Sequence, residues 1–374
     1  MLSLMPPLVP GTLRSVVAFV VVLGVLVFFH ELGHYLAARW RGVRVETFSI
    51  GFGRKLWSRR DRHGTEWRIA WLPLGGFVKL HGQEQPEEAS EETRAAWIAG
   101  ETFHEKSVLS RAIVVAAGPL ANFVLAFVLF TALFAAAGRP VVEPVVGEVM
   151  AGSAAAEAGL ATGDRILAID GAPITRFLDI QRIVAAHPGA TLDLTLRRDG
   201  AERHLAVTTG SRIIDGRKTG LLGISGGSLR YEHLSLPGAV IAGASETSEV
   251  LTETVSGVWQ MVSGQRGTDD LGGPLRIAQL SGQVAAEGVA NLISFIAVLS
   301  INLGLVNLFP IPVLDGGHLL FYIVEALLGR PVPKRAQEYG FRAGFALLVG
   351  LFVFATWNDL SHLGIFRWVA HLAG

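Results

Sequence analysis

The chain has 374 residues, 50% of them hydrophobic and only 17% charged, and it contains no cysteine, so disulfides, cysteine-rich zinc sites and thiol nucleophiles are excluded together. A typical soluble domain carries about 25% charged residues, and the deficit points to a membrane protein with ordinary polar stretches between its spans. The formal net charge is +0, so no overall field favours nucleic acid or acidic partners.

The first predicted element is an apolar run over about 13–37, long enough for a hydrocarbon core that needs ~20 residues. Only Arg14 precedes the run, which ends in His30-Glu31-Leu32-Gly33-His34, so a cleaved signal peptide is not expected. On a helix, positions i and i+4 share a face, and His30 and His34 can hold one metal ion together. Glu31 then lies beside the metal, where it can take a proton from water. Ionisable groups at membrane depth are costly, which makes all three functional candidates.

Residues 43–80 alternate β-favouring residues with turn glycines. Val43, Val45, Phe48 and Ile50 lead into Gly51-Phe52-Gly53, followed by Trp67, Ile69, Trp71 and Gly75-Gly76-Phe77-Val78. The pattern predicts β-hairpins, and their aromatic content places them against the membrane or at its edge. Residues 84–105 are Glu-rich and predict a solvated loop or short helix. A second span is expected at about 111–137. Residues 141–225 predict a compact α+β domain, with strand-like runs at Val145–Val149, Arg165–Ile169, Leu192–Leu196 and His204–Thr208 and a helix near Ile180–Ala186. Residues 238–289 read as an amphipathic membrane-surface region with a turn at Leu271-Gly272-Gly273-Pro274-Leu275. Third and fourth spans are expected at about 290–313 and 341–357.

Arg39, Arg41, Arg44, Arg54, Lys55, Arg59, Arg60 and Arg62 follow the first span, and Arg330, Lys334 and Arg335 lie between the third and fourth. The positive-inside rule assigns both connections to the cytoplasm, which puts 138–289 outside and the metal motif toward the cytoplasmic end of its helix. The expected organisation is a polytopic α-helical membrane protein with four transmembrane helices. Its parts are a first helix within 1–42, a cytoplasmic-side β-hairpin and acidic loop region at 43–106 and a second helix within 107–138. An extracytoplasmic α+β domain at 139–228, an amphipathic region at 229–289 and the last two helices within 290–374 follow.

A catalytic zinc usually takes three protein ligands and keeps one position open. The third ligand is sought among polar residues at membrane depth. Pro310 and Pro312 break the third span just before Asp315-Gly316-Gly317-His318. Asp315 is a hard oxygen ligand that completes a His-His-Asp set, and His318 is its rival. Asn302 and Asn307 either hold a substrate backbone beside the metal or hydrogen-bond between helices.

These residues resemble the bacterial site-2 proteases, intramembrane zinc metalloproteases of the regulator-of-sigma-E protease type. The likeness rests on His30-Glu31-Leu32-Gly33-His34 and on the run from Asn307 through Asp315-Gly316. It also rests on Phe48-Ser49-Ile50-Gly51-Phe52-Gly53, Pro73-Leu74-Gly75-Gly76-Phe77-Val78-Lys79 and Ala117-Gly118-Pro119-Leu120-Ala121-Asn122. It implies that His30, His34 and Asp315 bind Zn2+ and that Glu31 is the general base. It implies that Asn302, Asn307, Gly75, Gly76 and Phe77 line the substrate, and that 43–80 is a membrane-re-entrant element. It further implies one PDZ domain, which Gly147-Glu148-Val149, Ala158-Gly159-Leu160 and Gly163 through Gly171 support. The best-studied relatives carry tandem PDZ domains, and this chain has room for one.

The expected activity is peptide-bond hydrolysis within single-span membrane proteins, an anti-sigma factor already cut on its outer side or leftover signal peptides. The expected setting is a bacterial inner membrane, with the active site toward the cytoplasm and the PDZ domain in the periplasm. That domain either captures a peptide or free C-terminus or filters substrates by size. No nucleic-acid partner is expected. A metal transporter or a non-catalytic membrane PDZ scaffold are the competing readings; Glu31 between two ligands argues against the first, and an intact ligand set against the second.

Overall fold

A computed structural model describes residues 11–84, 89–214, 217–265, 267 and 272–362. In chain order the elements begin with α1 (Gly11–Trp40), β1 (Val45–Arg60), β2 (Glu66–Leu80), α2 (Glu91–Ala95) and α3 (Val108–Ala137). Next come β3 (Arg139–Val142), β4 (Val146–Val149), α4 (Ala154–Glu157), β5 (Arg165–Ile169), β6 (Ala172–Pro173) and α5 (Phe177–Ala186). They are followed by β7 (Thr191–Arg198), β8 (Ala201–Thr208), β9 (Gly210–Ile214), β10 (Arg217–Leu221), β11 (Ile224–Gly226) and β12 (Leu229–Glu232). The chain closes with α6 (Leu236–Val262), α7 (Pro274–Glu287), α8 (Val289–Leu308), α9 (Asp315–Leu328) and α10 (Lys334–His362). These elements form two compact units, one of Met1–Thr131, Gly243–Val255 and Thr268–Gly374, the other of Ala132–Ala242 and Ser256–Gly267.

In the first unit, α1, α3, α8 and α10 are long and apolar enough to cross a membrane. The third of these ends at Leu308, short of the expected 313. Phe309 precedes Pro310 and is extended (φ −62°, ψ 142°), because a residue before proline is driven out of the helical region. Val313 then takes φ +98°, which a β-branched residue rarely adopts, and Leu314 caps a new helix whose first residue is Asp315.

The β-rich stretch is a single long hairpin, not several. It folds back on itself, so Phe48 lies opposite both Val78 and Trp67, and Ser49 opposite both Phe77 and Arg68. Residues 76–80 pair only with the start of β1, which leaves them at the sheet edge among the described residues. The Phe48 and Trp67 rings stack at 4.3 Å between centroids, and Tyr35 of α1 meets Trp67 edge-on at 5.1 Å, which fastens the hairpin to the first helix. The turn is fixed by Asp61, whose carboxylate accepts from Tyr35 Oη, Trp67 Nε1 and the amides of His63 and Thr65. Burial pushes the Asp61 pKa up, but these donors outweigh it and hold the carboxyl below its ordinary value.

The acidic loop contains α2, capped by Ser90; its residues 85–88 lie outside the described residues. Of the turn expected at 271–275, Leu271 lies outside them too, while Gly273 and Pro274 open α7. The Asp359 carboxylate of α10 accepts from the amides of Gly273 and Arg276, capping that helix. The polar region expected to lie on the membrane surface therefore includes a helix built into the helical unit, where Gly282 packs on Ser15 of α1.

The second unit carries a four-stranded sheet in the order β6-β5-β7-β8, with the pairs β9–β10, β4–β11 and β3–β12 beside it. Strand β7 alternates, burying Leu192, Leu194 and Leu196. They pack with Phe177, Ile180 and Val184 of α5 in one core. Asp164 is fully buried in the loop before β5 and accepts two hydrogen bonds from the Arg198 guanidinium, each 2.6 Å. Burial raises its pKa, and Arg198 and the Ala161 amide more than reverse this, so the carboxyl sits below its ordinary value.

Candidate active site

Helix α1 sets His30 and His34 on one face, and the break after α8 delivers Asp315 to the same place. His30 Nε2 lies 3.2 Å from His34 Nε2 and 3.2 Å from Asp315 Oδ2, and His34 Nε2 lies 3.5 Å from that oxygen. Among the described residues, these three form the one group of metal-ligating side chains this close together.

The chemistry of the trio identifies what it fits. His34 Nδ1 is 2.9 Å from the Val114 carbonyl, which can only accept, so Nδ1 carries the proton and Nε2 presents a lone pair. Asp315 Oδ2 is buried and has no hydrogen-bond partner. His34 Nε2 and Asp315 Oδ2 are thus two acceptors meeting in a buried place, where they repel one another unless a cation lies among them. Tetrahedral zinc, with ligand bonds of about 2.0–2.1 Å, separates its ligand atoms by about 3.3 Å, the spacing seen here. The three residues fit a zinc ion.

Glu31 is 9% exposed and lies against the sheet edge at Gly76. A Cβ at Gly76 would lie 2.7 Å from Val27 and 3.2 Å from Glu31 Cγ, so only glycine lets the edge strand come this close to α1. Gly75 (φ +134°) faces the Phe52 ring, and Phe77 stacks on Phe52 at 6.1 Å while the Arg68 guanidinium covers it at 4.6 Å.

The other expected residues fall less centrally. Asn302 Oδ1 accepts from Thr254 Oγ1 of α6 at 3.0 Å, an interhelical hydrogen bond. Asn307 is half-buried in the last turn of α8. His318, the rival ligand, stands one turn beyond Asp315 outside the trio, against the Phe341 ring at 5.3 Å.

Two contributors escape sequence reasoning. The Val114 carbonyl fixes His34, and Asn122 lies fully buried with its amide 3.3 Å from His30 Nδ1. The Asn122 main-chain carbonyl accepts from Ser300 Oγ of α8 at 2.8 Å. A polar residue inside the apolar run Ala116–Phe123 is the signal that could have found it. Gly118 of α3 faces the His34 imidazole so closely that any side chain there would strike the ring. Farther along α9, Glu325 accepts a 2.7 Å hydrogen bond from Arg111 of α3, whose guanidinium also covers Tyr322 at 4.9 Å.

Comparisons with known proteins agree with this chemistry. The chain is 44% identical over 361 residues to a protein of Agrobacterium fabrum named as a zinc metalloprotease, covering 93% of this chain and 96% of that one. It is 38% identical to the metalloprotease MmpA of Caulobacter vibrioides, covering 97% of this chain and 99% of the relative. It is 33% identical to the regulator of sigma-E protease RseP of Salmonella typhimurium, covering 94% and 99%. Among solved structures, the PDZ domain of an SdrC-like protein from Listeria monocytogenes aligns with 23% of this chain and 87% of its own, at 21% identity and TM-score 0.20. The profile of peptidase family M50 matches residues 18–351. With that match spanning most of its length, the chain belongs to peptidase family M50, the site-2 proteases, and is a zinc metalloprotease.

Proposed function

We propose that this protein cleaves peptide bonds inside the membrane-spanning segments of single-span proteins, with His30, His34 and Asp315 holding zinc and Glu31 acting as general base. The observation that carries the reading is the convergence of three possible metal-ligand atoms, two of them on a helix that otherwise suits lipid. When bound, zinc supplies a Lewis acid that polarises a carbonyl and acidifies water. Glu31 Oε takes the proton of the attacking water and returns it to the leaving amine nitrogen.

A helical substrate hides its carbonyls and must be extended before attack. The edge formed by residues 76–80 pairs on one side only and borders Glu31, and adding a substrate strand there replaces the hydrogen bonds lost on unwinding. Gly75, Gly76 and Phe77 belong to that edge, and Asn307 and Asn302 support the substrate from α8. Exposed Leu56, Trp57 and Trp71 on the same hairpin suit a re-entrant, lipid-dipping element.

Anti-sigma factors trimmed on their outer side and remnant signal peptides are the proposed substrates, in a bacterial inner membrane. The arginines after α1 support a cytoplasmic active site and a periplasmic PDZ domain at 139–228. That domain screens substrates, by size or by binding a peptide end. The test is cleavage of a single-span reporter in proteoliposomes, with product ends mapped by mass spectrometry. Cuts within the apolar segment by the native chain and none by Glu31→Gln are expected; cuts confined to soluble flanks would refute the intramembrane reading.

A further inference from the structure

At the C-terminal end of α1, residues 39–44, the hairpin turn at 62–64 and Glu101 line an open cleft of about 520 Å³. The last turn of the helix gives Arg39, its link to the hairpin gives Arg44, and the hairpin turn gives Arg62 and His63. Glu101 is the one carboxylate among the lining side chains, and its main-chain carbonyl is already engaged by the Arg44 amide at 3.0 Å. Gly64 keeps the space open: a Cβ there would stand 3.2 Å from the Arg44 guanidinium.

The positive charge is not neutralised from within. The two lysines of the hairpin are paired, Lys55 with Glu66 at 3.0 Å and Lys79 with Glu46 at 2.9 Å. Among the described residues, Arg39, Arg44 and Arg62 form no ion pair. The nearby Asp61 spends its oxygens on Tyr35, Trp67 and two amides. Three arginines lining one cleft match a phosphate group, which each can bind through parallel N–H donors.

The position specifies the source of that phosphate. Arg39 lies five residues beyond His34, about 7.5 Å farther along the helix axis. Leu36 and Trp40 beside it are 56% and 72% exposed, an apolar side chain and a belt-type aromatic at the end of a candidate span. A cavity there opens at headgroup level. We propose that it binds the phosphate of an anionic phospholipid, which bridges α1 and the hairpin turn and so braces the strand edge that borders Glu31. This proposal rests on the membrane reading but not on the assignment of zinc ligands or base.

The test is native mass spectrometry of the delipidated full chain titrated with phosphatidylglycerol, phosphatidylcholine or inorganic phosphate, with zinc content measured on the same samples. One phosphatidylglycerol is expected to bind in preference to phosphatidylcholine. Arg44→Gln and Arg62→Gln should each weaken it about fivefold, the equivalent of ~1 kcal/mol per basic residue, with zinc content unchanged. Arg62 is exposed on a turn, so Arg62→Gln alone decides the matter if Arg44→Gln fails to fold. Equal retention of the two lipids, or affinity indifferent to Arg62→Gln, overturns the proposal. Competition by inorganic phosphate at matching affinity assigns the cavity to a soluble anion and overturns its lipid occupant. Lipid binding with zinc absent would count against the protease reading instead.

Discussion

His30 Nε2, His34 Nε2 and Asp315 Oδ2 are held in place by groups that never touch a substrate. The Val114 carbonyl sets the His34 tautomer, and the buried Asn122 side chain, its Nδ2 3.3 Å from His30 Nδ1, braces the His30 ring. Asn122→Ala should therefore weaken zinc binding about 10–100-fold, read by competition with a chelator, while the helical far-ultraviolet spectrum stays unchanged. Unchanged affinity would leave Asn122 as a packing residue. His30, Glu31 and His34 are legible from their spacing alone, because helix periodicity is local. Asp315 is legible as a candidate from the prolines before it, and ligand chemistry, not spacing, ranks it above His318. Val114 and Asn122 are not legible in that way, since their roles exist only once α3 packs on α1.

Asp315 reaches the site because α8 stops and α9 starts within seven residues, through extended Phe309 and Leu314 and a positive-φ Val313. Prolines at 310 and 312 forecast the break; they do not forecast that a second helix begins on Asp315 itself. That helix is tied to α3 by Arg111 and Glu325, side chains 12% and 16% exposed, and Val114, which fixes His34, lies one turn after Arg111. Glu325→Ala would leave a buried guanidinium without its partner, a loss of about 3 kcal/mol or more, seen as a lower midpoint of thermal unfolding in detergent. Loss of zinc affinity in the same variant would show that the pair also positions Asp315. The strand pattern of 43–80 predicts β-structure correctly, yet the folded-back register with Phe48 between two partners depends on bulges at Gly51 and Gly53 that alternation does not encode.

Across the whole molecule, composition and charge placement indicate the membrane class and the spans, because both are sums over many residues. The capping of α7 by Asp359 joins positions far apart in sequence, and no local pattern announces it. In the second unit, alternation along β7 is legible and consequential: Leu194 is 0% exposed, and Leu194→Ala should cost about 3 kcal/mol, measured by thermal unfolding. Acid sensitivity follows from two carboxylates. Asp61 and Asp164 both sit below the ordinary aspartate value in the folded chain, so the stability they contribute is present above about pH 3.9 and lost as pH falls through their folded values. The unfolding midpoint should fall below that pH, and Asp164→Asn should flatten part of the fall; an identical profile would exclude Asp164 as a source.

The central claim is that two distant segments of one chain hold a single zinc ion through two imidazoles and one carboxylate. Zinc-edge X-ray absorption with metal analysis of the purified native chain and of Asp315→Ala tests it most directly. One zinc per chain, with two histidine ligands and low-Z ligands at about 2.0–2.1 Å, is the predicted native result, and Asp315→Ala should bind zinc far more weakly. Native stoichiometry and an unchanged coordination spectrum in Asp315→Ala would contradict the account.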